Sequence, residues 1–159
     1  MKRIILLGTN HSIQRGEIRN PEFGYYIENI ISNYKPQTIA EEIDKISVAA
    51  KIASSGGVKY SIIEPTIEER KALRILSISE IEFSIFMEFD DQMSVEAQAE
   101  LTKRKESVYR AREQEWLNRL TSINDWPVLV ICGANHFDPF CKLLQKNGHE
   151  VVRECKDWE

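Results

Sequence analysis

Arg3-Ile4-Ile5-Leu6-Leu7-Gly8-Thr9-Asn10-His11 and Pro127-Val128-Leu129-Val130-Ile131-Cys132-Gly133-Ala134-Asn135-His136 are the two stretches that decide the fold. Each is a short apolar run, the mark of a buried strand, and each then breaks into the same phrase, Gly-x-Asn-His. Between and after them, further apolar runs alternate with segments of helical periodicity. That alternation predicts βαβ units and an α/β domain with an open, mostly parallel five-stranded sheet and helices on both faces. Strands are expected near residues 3–8, 38–43, 58–63, 127–132 and 149–153. Right-handed crossovers with strand order 3-2-1-4-5 would set the first strand beside the fourth. Ligands of such sheets bind where the connections reverse direction, outside the carboxyl ends of the strands. His11 and His136 both leave strands at that edge.

The helical segments carry their own punctuation. Asn20-Pro21 opens a helix and Pro36 closes it. Ser55-Gly56-Gly57 marks a turn, and Asn147-Gly148 a helix stop. Thr66 with Glu69, and Ser79 with Glu82, read as capping boxes. Residues 92–123 read as one long helix or two, polar through Ser107 and apolar again from Val108 to Leu120. At 159 residues the chain is expected to form a single α/β domain, 1–159, with a long helical insertion at about 79–123.

Bulk properties narrow the function. A net charge of −4 argues against a generic nucleic-acid binder, which needs a basic surface for phosphates. Lys103-Arg104-Lys105 is flanked by acids and reads as a solvated helix face, although the 92–107 stretch would also suit a partner contact. Three cysteines without paired spacing predict reduced thiols and a cytoplasmic setting, with Cys132 a core residue and Cys141 helix packing. The apolar run after Met1-Lys2-Arg3 is too short for a secretory signal, and no segment approaches a membrane span. Phosphate-binding Gly-x-Gly-x-x-Gly and Walker patterns are missing, as is a Gly-x-Ser-x-Gly elbow.

A histidine at a strand's carboxyl end can serve as general base, proton donor or metal ligand. One such residue would ordinarily just satisfy loop backbone groups; a matched pair points to function. His149 opens a strand at the other sheet edge and is structural. Glu41-Glu42 leaves the second strand at the active edge, and alternation along a strand sends neighbours to opposite faces, so at most one is expected in the crevice directly. Glu64, before Pro65, reads as a turn residue. Arg112 and Trp116 share a helix face, and an arginine reaching the crevice would bind an anionic group or stabilise an oxyanion.

Gly8-Thr9-Asn10-His11, Glu41-Glu42, Arg112-Glu113 with Trp116, and Gly133-Ala134-Asn135-His136 occur in an order that resembles the superfamily of TraB/PrgY proteins, Tiki proteases and erythromycin esterases. The resemblance implies a catalytic site of His11, Glu41, Glu42, Arg112 and His136 in a hydrolase of ester or amide (peptide) bonds. With a divalent metal (manganese, cobalt or zinc), His11, His136 and Glu42 would be the ligands. Without one, a histidine oriented by a glutamate would activate water. The expected partners are a small ester or peptide substrate and a further copy of the chain, with neither nucleic acid nor membrane. The alternative is a regulatory module that binds a ligand or peptide in the same pocket without turnover.

Overall fold

The computed structural model describes residues 1–43 and 46–159. In chain order the elements are β1 (Arg3–Thr9), α1 (His11–Gln14), α2 (Pro21–Tyr34), β2 (Thr38–Glu41), α3 (Val48–Gly56), β3 (Lys59–Ile62), α4 (Ile67–Ala72), α5 (Ile78–Glu88), α6 (Val95–Thr121), β4 (Val128–Gly133), α7 (Ala134–Lys146) and β5 (Glu150–Trp158). The five strands form one open sheet in the order β3-β2-β4-β1-β5, and every neighbouring pair is parallel.

The α/β class and the parallel sheet are as expected, and β1 and β4 are neighbours. Their places are exchanged relative to the expected 3-2-1-4-5: β2 pairs with β4 and β5 with β1. Both central strands are apolar and fully buried along Ile4–Leu7 and Val128–Cys132, so hydrophobicity ranks them equally and cannot say which lies nearer β2.

Side-chain alternation sends each strand's residues to two cores. Ile5, Leu7, Ile39, Leu129 and Ile131 pack with Ile13, with Phe23, Ile27 and Ile30 of α2, and with Ala49 and Ala53 of α3. Ile4, Leu6, Ala40, Val128, Val130 and Cys132 pack with Phe137, Phe140, Cys141 and Leu144 of α7 and with Trp116, Leu117 and Leu120 at the end of α6. Helices therefore cover both faces, and burying each large apolar side chain contributes about 1.5–3 kcal/mol.

Local signals explain most helix ends. Asn20 caps α2 through the Glu22 N–H, Pro21 takes the first turn, and Lys35 ends the helix in the left-handed conformation. The Thr66–Glu69 box opens α4. The second box forms on Ser77 and Glu80 rather than Ser79 and Glu82, so α5 starts one residue before Ser79. The polar stretch after residue 92 does not break the long helix; α6 runs unbroken.

The chain divides into two compact units. One comprises Met1–Glu64 with Trp116–Glu159 and contains the whole sheet; the other is Pro65–Glu115. In the second unit Ile81, Ile85 and Ala97 are buried. Arg104 pairs there with Glu88 and Glu100, and Lys105 with Glu82. These two cations of the Lys103–Lys105 cluster are thus engaged within their own unit. No helix among the described residues is long and apolar enough to cross a membrane.

Candidate functional site

Both Gly-x-Asn-His phrases lie at the carboxyl edge of the sheet, yet they are built differently. In the β1–β4 register, Gly8 stands opposite Cys132 and Thr9 opposite Gly133, so the two phrases are offset by one residue. Asn10 caps the single turn of α1 through the Ile13 N–H, and His11 is its first residue. Gly133 caps α7, and His136 falls in that helix's first turn.

β1 continues through Thr9, so Gly8 makes no turn off the sheet and serves a close approach: a Cβ there would lie 1.9 Å from the Lys156 carbonyl oxygen. One of two register shifts in the β1–β5 ladder falls here, between Leu7 and Thr9. At Gly133 a Cβ would instead meet the site itself, 3.4 Å from Glu42 Oε2, 3.7 Å from His136 Cδ2 and 3.9 Å from His11 Nε2.

Glu42 is the hub. Its Oε2 accepts the Gly133 N–H at 2.7 Å, and its backbone N–H donates to the Ile131 carbonyl. Its Oε1 faces His11 Nε2 at 3.5 Å and His136 Nε2 at 3.9 Å. The carboxylate side chain is 1% exposed and that of His136 5%, whereas His11 is 43% exposed. The two imidazoles thus approach one buried oxygen at separations longer than a direct hydrogen bond.

Glu41, the last residue of β2, goes the other way. Its Oε1 accepts from Gln14 Nε2 at 3.2 Å, and its Oε2 from Ser47 Oγ at 2.5 Å and Tyr60 OH at 2.6 Å. Burial pushes its carboxyl above the ordinary range, against these three hydrogen bonds, which pull it down. Burial and the neighbouring Glu41 likewise raise the Tyr60 phenol. The adjacent glutamates are therefore sorted: Glu42 faces the histidines, and Glu41 ties together β2, β3, α1 and the residue that caps α3.

Two further residues extend the site. Trp116 packs edge-on against His136, with ring centroids 4.8 Å apart, and donates its Nε1–H to Glu64 Oε2 at 2.8 Å. Glu64, in a bend before Pro65 as expected, is also a buried hydrogen-bonded carboxylate. Its position at the exit of β3, on the same sheet edge as Glu42, was the available signal. Arg112 is half-buried on α6, within the Pro65–Glu115 unit. His149 stacks on Trp126 just ahead of β5, and burial lowers its pKa. Cys132 and Cys141 are buried in the core on the α7 face.

Compared with known protein families, with curated proteins and with solved structures, the chain matches none.

Two imidazole nitrogens and a carboxylate oxygen are donors of the type that zinc, manganese or cobalt accept. Ligands on a common ion with bonds of about 2.0–2.2 Å sit roughly 3.3–3.5 Å apart, near the 3.5 Å between His11 Nε2 and Glu42 Oε1 and shorter than the 3.9 Å to His136. Among the described residues, no group of three or more His, Cys, Asp or Glu side chains is arranged to hold a metal ion. The donor chemistry suits an ion, and closing the set requires the His136 ring to move inward.

Proposed function

We propose that this chain hydrolyses an ester or amide bond of a small molecule or peptide, with His11, Glu42 and His136 as the chemical centre. The observation that carries this reading is the single buried Glu42 oxygen facing two histidine nitrogens at the carboxyl edge of the sheet. A carboxylate fixed by a backbone N–H cannot swing away, so it holds its charge beside both imidazoles. His11, the exposed member, takes a proton from the attacking water and passes it to the leaving group. His136, clamped against Trp116, faces the same carboxylate oxygen and lines the other side of the centre. Glu41 contributes by fixing α1, which carries His11.

A divalent ion would be held by His11, His136 and Glu42, and when bound would lower the pKa of a coordinated water toward neutrality.

The test uses purified full chain with model esters and a mixed peptide substrate, comparing wild type with Glu42→Gln, His11→Ala and His136→Ala. Loss of a general base or its orienting partner lowers turnover by about 10²–10⁴-fold. Thermal stability is followed in parallel with manganese, cobalt and zinc; an increase that vanishes in His11→Ala/His136→Ala assigns the ion to this site. Turnover that survives in that double variant removes both histidines from the chemistry.

A further inference from the structure

The Pro65–Glu115 unit carries twelve carboxylates against eight Lys and Arg, an excess equal to the whole chain's net charge of −4. The distribution within it is sharper still. From Ile75 to Thr102 there is no Lys, Arg or His, while Glu80, Glu82, Glu88, Asp90, Asp91, Glu96 and Glu100 all fall in that span.

The same span exposes its apolar side chains. On α5, Ile81 and Ile85 turn inward, whereas Phe83, Phe86 and Met87 are 64, 58 and 67% exposed. These three stand at i, i+3 and i+4, one stripe of the helix, and the two phenyl rings stack at 6.5 Å. Met93 and Val95 follow, 80 and 81% exposed. An α-helix normally keeps one apolar face; α5 has two, and the second faces solvent. Arg104 pairs with Glu88 and Glu100, and Lys105 with Glu82, which leaves even this cluster one negative charge in excess. Asp90, Asp91 and Glu96 stand outside those pairs.

We infer that the Phe83-Phe86-Met87 stripe of α5 is a docking surface for a basic amphipathic helix of another protein, its apolar ridge on the stripe and its Lys or Arg against Asp90, Asp91 and Glu96. Charge complementarity selects this occupant. A second copy would bring the same acidic rim against itself, and an anionic membrane surface would be repelled by it. Aromatic and methionine side chains on a helix face accept a partner helix through anchors at this spacing. The surface is independent of the hydrolytic reading.

The probe is a fluorescein-labelled helical peptide of about 18 residues, with Leu at i, i+3, i+4 and i+7 and Lys elsewhere, titrated with the full chain by anisotropy. Binding is expected to weaken at least about tenfold in Phe83→Ser/Phe86→Ser/Met87→Ser, and likewise in Asp90→Lys/Asp91→Lys/Glu96→Lys, which leaves the apolar stripe intact. It is also expected to fall as salt rises from about 0.05 to 0.5 M. All six positions are exposed, so melting temperatures should stay near wild type. Equal binding of a Glu-for-Lys peptide, no binding by wild type, or wild-type binding by both variants overturns the proposal. So does self-association in sedimentation that the Ser variant abolishes, or stripe-dependent binding to anionic vesicles.

Discussion

Gly8 and Gly133 look alike in sequence, and the fold predicts opposite consequences when each gains a methyl group. In Gly8→Ala the added Cβ lies 1.9 Å from the Lys156 carbonyl oxygen and 2.8 Å from its carbon, with Phe137 Cδ2 at 3.1 Å. Ordinary C···O contact begins near 3.3 Å, so β5 must retreat by about 1.4 Å. The obstruction is backbone and cannot rotate away. Overpacking of this kind costs about 1–3 kcal/mol, and each β1–β5 ladder bond lost with it about 1 kcal/mol more. The expected total is about 3–4 kcal/mol, which for a chain of this size lowers Tm by about 6–16 °C. In Gly133→Ala every contact is at or beyond 3.4 Å and the backbone is ordinary, φ −62°, so stability should change by less than about 1 kcal/mol. The methyl group then sits among Glu42 and both imidazoles, so its effect falls on turnover or metal binding. Urea denaturation of the two variants side by side checks this. Equal losses of stability would refute the reasoning.

Two further outcomes are expected. Because burial raises the folded-state pKa of Glu41, its contribution to stability is fully present below the ordinary glutamate pKa and is lost as pH rises through the folded value. Glu41→Gln should therefore flatten the fall in urea-derived stability above about pH 4.5, and an unchanged pH slope would disprove a raised pKa there. Trp116→Phe keeps the ring against His136 and Phe140 but removes the N–H that Glu64 accepts, which should cost about 1–3 kcal/mol. Adding Glu64→Leu should recover part of that loss in a double-mutant cycle.

Much of this architecture was legible because apolar runs and capping residues act locally. β1 and β4 announced themselves by continuous hydrophobicity, and the Asn20-Pro21 and Thr66-Glu69 starts by side chains that reach only a few residues. What periodicity could not order were elements of equal rank: β1 and β4 are interchangeable by burial, and pairing them with β2 or β5 is a matter of register across the sheet. The same holds at the site. Residue type and edge position singled out His11, His136 and the Glu41-Glu42 pair. Which glutamate faces the histidines depends on β2 ending at Glu41, so that Glu42 leaves the pleat. Glu64 and Trp116 are separated by most of the helical insertion, and nothing local joins them. The twin phrase itself hides that Gly8 answers to β5 and Gly133 to Glu42.

Thr9 lies opposite Trp158 in the β1–β5 register and donates its hydroxyl to the Trp158 carbonyl, two residues short of His11. Chain continuing past Trp158 leaves from the carboxyl edge of the sheet, the edge that His11 and His136 share, whereas chain ahead of Arg3 enters from the opposite edge. A polyhistidine handle for purification belongs at the amino end, since at the other it would offer competing ligands in every metal titration.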